Sequence, residues 1–139
     1  MPADILSELS EDERRLVDSA KHFARREVEP VLAQAESIGR FSPELYQAAA
    51  DAKLNAIQVP VSHGGLGFSY RCKMAVAEAI SQTSMAFAFS LVNTHNTIAK
   101  LAVDAPQIAA RYVPQMLKAE RFGATALTEP HAGSDFSAI

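Results

Sequence analysis

The sequence has one cysteine, Cys72, no tryptophan and little threonine. A lone cysteine excludes an intrachain disulfide and an all-cysteine metal site, and it points to a reducing, cytoplasmic setting. The shortage of strand-forming residues beside abundant alanine favours helix over sheet. Positive charge is also scarce: 13 basic residues stand against 16 acidic ones, and they are scattered. A nucleic-acid surface needs a basic stripe, so that partner class is excluded. The longest apolar patch, Met85 to Val92, falls far short of the roughly 20 residues of a membrane-spanning helix, so no membrane partner is expected. Residues 1–15 have neither a basic start nor an apolar run, which excludes a signal peptide, and their acidity argues against a transit peptide. Dinucleotide, P-loop, zincin and nucleophile-elbow motifs are all missing. The four histidines fall on separate elements without ligand spacing, and no metal is expected.

What remains is an ordinary globular composition, 48% hydrophobic and 21% charged over 139 residues, enough for one core. Ser10-Glu11-Asp12-Glu13 fits a capping box. Leu16, Ala20, Ala24, Val28 and Leu32 then repeat every four residues, predicting an amphipathic helix over 11–37 that ends at Gly39. Pro30 should kink or split it near Val28. Ser42-Pro43 opens a short helix to about Lys53. Residues 55–69 form a loop whose apolar side chains, Ile57, Val59, Val61, Leu66 and Phe68, should pack onto something. Ser69 caps a third helix, Tyr70 to Gln82. A fourth, Thr83 to Val103, is apolar on almost every side and belongs in the middle of a bundle. Asp104 and Pro106 restart the chain as a fifth, to about Lys118. The fold class is therefore all-α, a bundle of about five helices.

Arg121 to Leu127 reads weakly as a strand, followed by Thr128-Glu129-Pro130-His131-Ala132-Gly133-Ser134-Asp135. A strand needs partners, and the sequence offers no second one. The chain thus reads as unfinished, its tail entering a sheet that lies elsewhere. Amides around Gly133-Ser134 and the hydroxyls of Thr128 and Ser134 suit an anion or a ring carbonyl. A plain strand-ending turn explains them equally well, and spacing leaves both readings open. His22 lies on a polar helix face. His95, in Asn93-Thr94-His95-Asn96, interrupts the most apolar helix as either a satisfied core cluster or a pocket wall. Gly64-Gly65-Leu66-Gly67 reads as backbone-turn glycines.

Ala126-Leu127-Thr128-Glu129-Pro130-His131-Ala132-Gly133-Ser134-Asp135 resembles the flavin-binding signature of the acyl-CoA dehydrogenases. Leu9 to Glu13 with Phe23 to Pro30 is similar to that family's first helix. Val59-Pro60-Val61-Ser62-His63-Gly64-Gly65-Leu66-Gly67 resembles its P-x-x-x-G-G-L-G loop, and Tyr112-Val113-Pro114 also fits. The four stretches occur in the family's order and spacing. His131 departs from the small residue often found at its position.

The resemblance implies an N-terminal helical domain over 1–120 and, over 121–139, the truncated beginning of a middle β domain. It implies FAD as cofactor, held by Thr125, Ala126, Leu127, Thr128, Gly133 and Ser134, and an acyl-CoA substrate near Ser134, Phe89 and His95. Phe87 and Leu91, on the same helix, would stand near the acyl chain. The implied reaction is α,β-dehydrogenation to a trans-2-enoyl-CoA, with the glutamate base outside this chain. Electron-transfer flavoprotein or a similar acceptor, and a dimer or tetramer, are implied partners. An acyl-CoA oxidase or flavin monooxygenase of the same superfamily, and a non-catalytic helical interaction module, are the rival readings. Phe122, Leu127 and the loop at 57–68 are expected to lie bare in this chain and to promote self-association.

Overall fold

The computed structural model describes residues 5–135 and 137. Helix α1, Glu11–Phe23, starts as the sequence dictates. Ser10 Oγ accepts from the Glu13 amide at 3.2 Å, and Glu13 Oε2 accepts from the Ser10 amide at 2.9 Å. The Glu13 carboxylate also reaches a second helix start, Oε1 accepting from the Ser69 amide at 2.7 Å. Burial alone would raise this carboxyl, but the hydrogen bonds from Ser69 and Ser10 outweigh it and hold it below the ordinary carboxylate range.

Pro30 breaks the first long helix. Lacking an N–H and crowding the preceding turn, it is approached through a widened π turn, Ala24–Val28, and a tight 3-10 turn, Glu29–Val31. Helix α2, Leu32–Ile38, resumes and ends at Gly39 with φ 70°, a left-handed conformation that glycine adopts without penalty. Helix α3, Pro43–Asp51, is capped by Ser42 with Pro43 at its first position. Helix α4, Tyr70–Ser81, is capped by Ser69, and α5, Met85–Asp104, by Ser84.

Helix α6, Pro106–Leu117, differs from expectation at its start. Asp104 remains in α5, where its carboxylate pairs with Lys100, and Ala105 occupies the cap without a side-chain bond. The proline alone sets this boundary. Counting α1–α2 as one broken helix, the described residues form the five-helix architecture read from the sequence. Helix α4 packs between α1 and α5, and α6 packs on α5.

Two buried clusters form the core. The larger joins α1, α3, α4 and the first half of α5 around Phe87, whose ring contacts Phe23, Phe41 and Tyr46 with centroids 5.1–6.0 Å apart. The smaller joins Val59, the second half of α5 and α6 through Ile98, Ala102, Ala109, Val113 and Met116.

The 55–69 loop is packed, as expected, but less bare than expected. Ile57 and Val59 are buried, Leu66 and Phe68 partly so, and only Val61 of the five is exposed. Phe68, Leu66 and Gly67 donate backbone bonds to Ile57, Ala56 and Val59, folding the loop back on itself. Helix α5 does not sit fully inside: Met85, Phe89 and Val103 are exposed, because the described residues supply nothing over that face.

Residues 121–128 form no strand. The single bridge is Glu129 with Ala132, across a turn containing Pro130. Without a neighbouring strand no ladder forms among the described residues, and Phe122 and Leu127 are half exposed, as anticipated. Phe136, Ala138 and Ile139 lie outside the described residues.

Ser10→Ala is expected to cost about 1 kcal/mol in urea unfolding, one lost cap. Glu13→Ala should cost more, about 2–3 kcal/mol, because it strands amides at two helix starts. Equal losses would contradict the dual role of Glu13.

Candidate functional site

The segment after α6 is anchored before it becomes exposed. Helix α6 ends in a reversal in which Glu120 and Ala119 donate to Gln115 and Met116 carbonyls. Arg121 Nε then donates to Gln115 Oε1 at 2.7 Å. The Phe122 ring meets Tyr46 edge-on with centroids 4.8 Å apart, and Tyr46 Oη donates to Ser90 Oγ at 2.9 Å. Gly123 lies directly against Thr97 of α5. Beyond this strap, Thr125, Ala126, Leu127 and Thr128 are all exposed.

The chain then turns tightly. Glu129 and Ala132 exchange both backbone hydrogen bonds, at 2.8 and 3.2 Å, and Ala132 is buried. Gly133 is partly buried and Ser134 exposed. A Cβ on Gly133 would meet only Thr128 Cγ2, at 3.9 Å, so the turn brings these two residues together and leaves their approach open. Among the described residues, the Thr128 and Ser134 hydroxyls and the amides of 125–128 have no internal partner. The arrangement is therefore a row of exposed donors on a strap fixed at its base. Such donors suit an anionic or carbonyl-bearing ligand.

Phe89 and His95 line two different cavities, and Ser134 borders neither. Phe89 is exposed and borders a groove of about 500 Å³ between α4 and α5, with Met74, Met85 and Val92. His95 is 1% exposed and lines a different, much smaller cavity of about 10 Å³ with Leu54, Ile57 and Lys73. Cys72 is buried, and burial with the nearby Glu13 charge pushes its thiol up to about 12, so it stays protonated. His22 is exposed, as read from its helix face, and its Nδ1 contacts the Asp18 carbonyl.

The polar interruption of α5 is a core cluster. His95 Nδ1 lies 3.1 Å from the Asn55 carbonyl oxygen, which fixes the proton on that nitrogen. Nε2 is then a buried acceptor without a protein partner among the described residues. Burial chiefly drives the imidazole down to about 4; the Asn55 carbonyl opposes this and the Lys73 charge adds to it. Lys73 is itself buried, which lowers its ammonium from the ordinary value, and Nζ donates to Asn96 Oδ1 at 3.1 Å. Asn55 was not singled out from the sequence. Its one signal there is a polar residue set in the apolar run Leu54-Asn55-Ala56-Ile57.

Residues 10–120 match the family described as "Acyl-CoA dehydrogenase, N-terminal domain". The chain belongs to this family. The chain is 30% identical over 86% of its length to 3-(aryl)acrylate reductase of Clostridium sporogenes, of which it covers 32%. It is 29% identical over 91% of its length to the mitochondrial 2-methylacyl-CoA dehydrogenase of Solanum tuberosum, again covering 32%. A solved acyl-CoA dehydrogenase complexed with FAD from Bacillus anthracis superposes with a TM-score of 0.81 at 25% identity, over 96% of this chain and 23% of that one. A probable acyl-CoA dehydrogenase from Mycobacterium abscessus superposes at 0.77 with 33% identity, over 91% of this chain and 35% of that one. The domain thus spans about a third of the length of the curated relatives it matches. Among the described residues no helix is long and apolar enough to cross a membrane.

His95 makes the stability of this acyl-CoA dehydrogenase domain depend on pH. Its folded-state value lies below the ordinary 6.5, so the unfolded chain binds the extra proton first. Stability is complete above pH 6.5 and falls as the pH drops toward 4, by about 3 kcal/mol in total. Urea unfolding between pH 6.5 and 5 avoids the range in which Glu13 titrates. His95→Asn, which keeps a donor for the Asn55 carbonyl, should flatten that slope; an unchanged slope would contradict the assignment.

Proposed function

We propose that the chain is the N-terminal portion of a flavin-dependent acyl-CoA dehydrogenase, with 1–120 its helical domain and 121–139 the beginning of a middle β domain. The observation that carries this reading is the exposed donor row of Thr125 to Ser134, held on an anchored strap in a chain of this family. The residues present fit FAD: the amides of 125–128 and the Thr128 hydroxyl are uncommitted, and the approach to Gly133 is open. Thr125, Ala126, Leu127, Thr128, Gly133 and Ser134 would hold it. When bound, the flavin supplies a hydride acceptor for α,β-dehydrogenation of an acyl-CoA thioester to the trans-2-enoyl-CoA.

This chain's own contribution is binding and electrostatics. Preorganised amide and hydroxyl donors stabilise negative charge on a ring carbonyl without reorganising during the reaction. Ser134, at the end of the turn, would contact cofactor and substrate. Phe89 offers apolar surface to an acyl chain, whereas His95, 1% exposed, would bear on the substrate only through the helix that carries it. The catalytic base lies outside this chain. Electron-transfer flavoprotein or a similar acceptor, assembly as a dimer or tetramer, and a cytoplasmic location belong to the same proposal.

A second reading is reduction of an α,β-unsaturated acid or its thioester, favoured by the 30% identity to 3-(aryl)acrylate reductase. It uses the same donors with the hydride moving the other way.

The test is expression of the longest natural polypeptide that contains this sequence. It should purify with bound FAD whose absorbance bleaches anaerobically on adding acyl-CoA, while residues 1–139 alone neither hold FAD tightly nor oxidise acyl-CoA. A polypeptide that retains no flavin, or a flavin that neither acyl-CoA nor enoyl-CoA alters, would overturn the proposal.

A further inference from the structure

We propose that Gly123 is a positioning residue: its seat on Thr97 sets the height at which residues 124–134 leave α5, and so governs flavin affinity. The inference rests on the flavin reading above. A Cβ at position 123 would lie 2.4 Å from Thr97 Cβ and 2.6 Å from both Cγ2 and Oγ1, about 1 Å inside the 3.4 Å where ordinary contact begins. Thr97 cannot swing aside cheaply. It is β-branched, and Oγ1 donates to the Asn93 carbonyl at 3.0 Å.

The strap has little freedom elsewhere. Arg121 is tied to Gln115 of α6, and Phe122 is fixed edge-on to Tyr46 of α3, which itself bonds Ser90 of α5. Residues 121–123 are thus held on three helices, with the closest approach at the last of them. A hollow of about 300 Å³ bounded by Tyr46, Asn93 and Phe122 lies on one side of Gly123. Another, about 330 Å³, is bounded by Thr97, Lys100, Ala124 and Thr125. With Thr97 directly against position 123, any side chain there lifts the strap. The first flavin-contacting residue, Thr125, follows two positions later, so the lift passes directly into the donor row. A lift near 1 Å draws donors out of hydrogen-bonding distance, and each net bond lost is worth about tenfold in affinity.

The experiment uses the longest natural polypeptide, with FAD itself as probe. Gly123→Ala should weaken FAD binding by about tenfold for each donor drawn out of reach, and adding Thr97→Gly, which removes all three clashing atoms, should restore most of it. Gly65→Ala is the contrast: its Cβ would meet the Val59 carbonyl oxygen at 2.0 Å, and its three nearest atoms all belong to Val59 rather than to the strap. It should lower the thermal midpoint while the folded fraction keeps wild-type FAD affinity. Wild-type affinity in Gly123→Ala, or failure of Thr97→Gly to restore it, overturns the inference. A wild-type protein that binds no FAD overturns the flavin reading and the affinity role together. The seat itself is then judged by amide NMR shifts at 124–128, which Gly123→Ala should move and the double variant should return; unmoved shifts overturn it.

Discussion

Asn55 is the constraint on which the rest of the structure depends. It is buried between the two core clusters, on the connection between α3 and the packed loop. Its Nδ2 donates to the carbonyls of Met116 and Leu117, at 3.0 and 3.3 Å, where α6 has run out of intrahelical partners. Its own backbone carbonyl accepts from His95 of α5. One residue therefore ties the end of α6 to the loop after α3, orients the only fully buried imidazole and joins the clusters. Buried polar groups that lose a partner cost about 1–3 kcal/mol each, so this knot admits few alternative arrangements. Where α6 ends also decides where the strap begins, and the strap carries the donor row.

Most helix boundaries were legible because they are local. Ser10, Ser42 and Ser69 each bond an amide three residues on, and Pro30 and Gly39 act on their own turns, whereas α5 is capped by Ser84 and starts two residues after the Thr83 read from the sequence. Asp104 misled, since an acidic residue just before a proline looks like a cap until Lys100 claims it. Asn55 was invisible for the opposite reason. Its partners lie 40 and 61 residues away, and no pattern along the chain announces them.

The candidate site divides the same way. The turn at Pro130 and Gly133 and the polar residues around it could be read directly, but what they bind could not; that came from likeness to a family. Neither Gly123 nor Thr97 carried any signal, because the clash that makes glycine necessary exists only once the strap lies on α5. The apolar character of α5 was read correctly as a sequence property. Its outer face nevertheless stays bare through Met85, Phe89 and Val103, which fits a domain spanning about a third of its relatives.

Hydrogen exchange on Asn55→Ala tests the central claim most directly. Amides at the end of α6, residues 113–117, should lose protection first and most, while those of α1 and α4 keep theirs. Protection at α6 equal to the wild type, or a uniform loss through all helices, would contradict it.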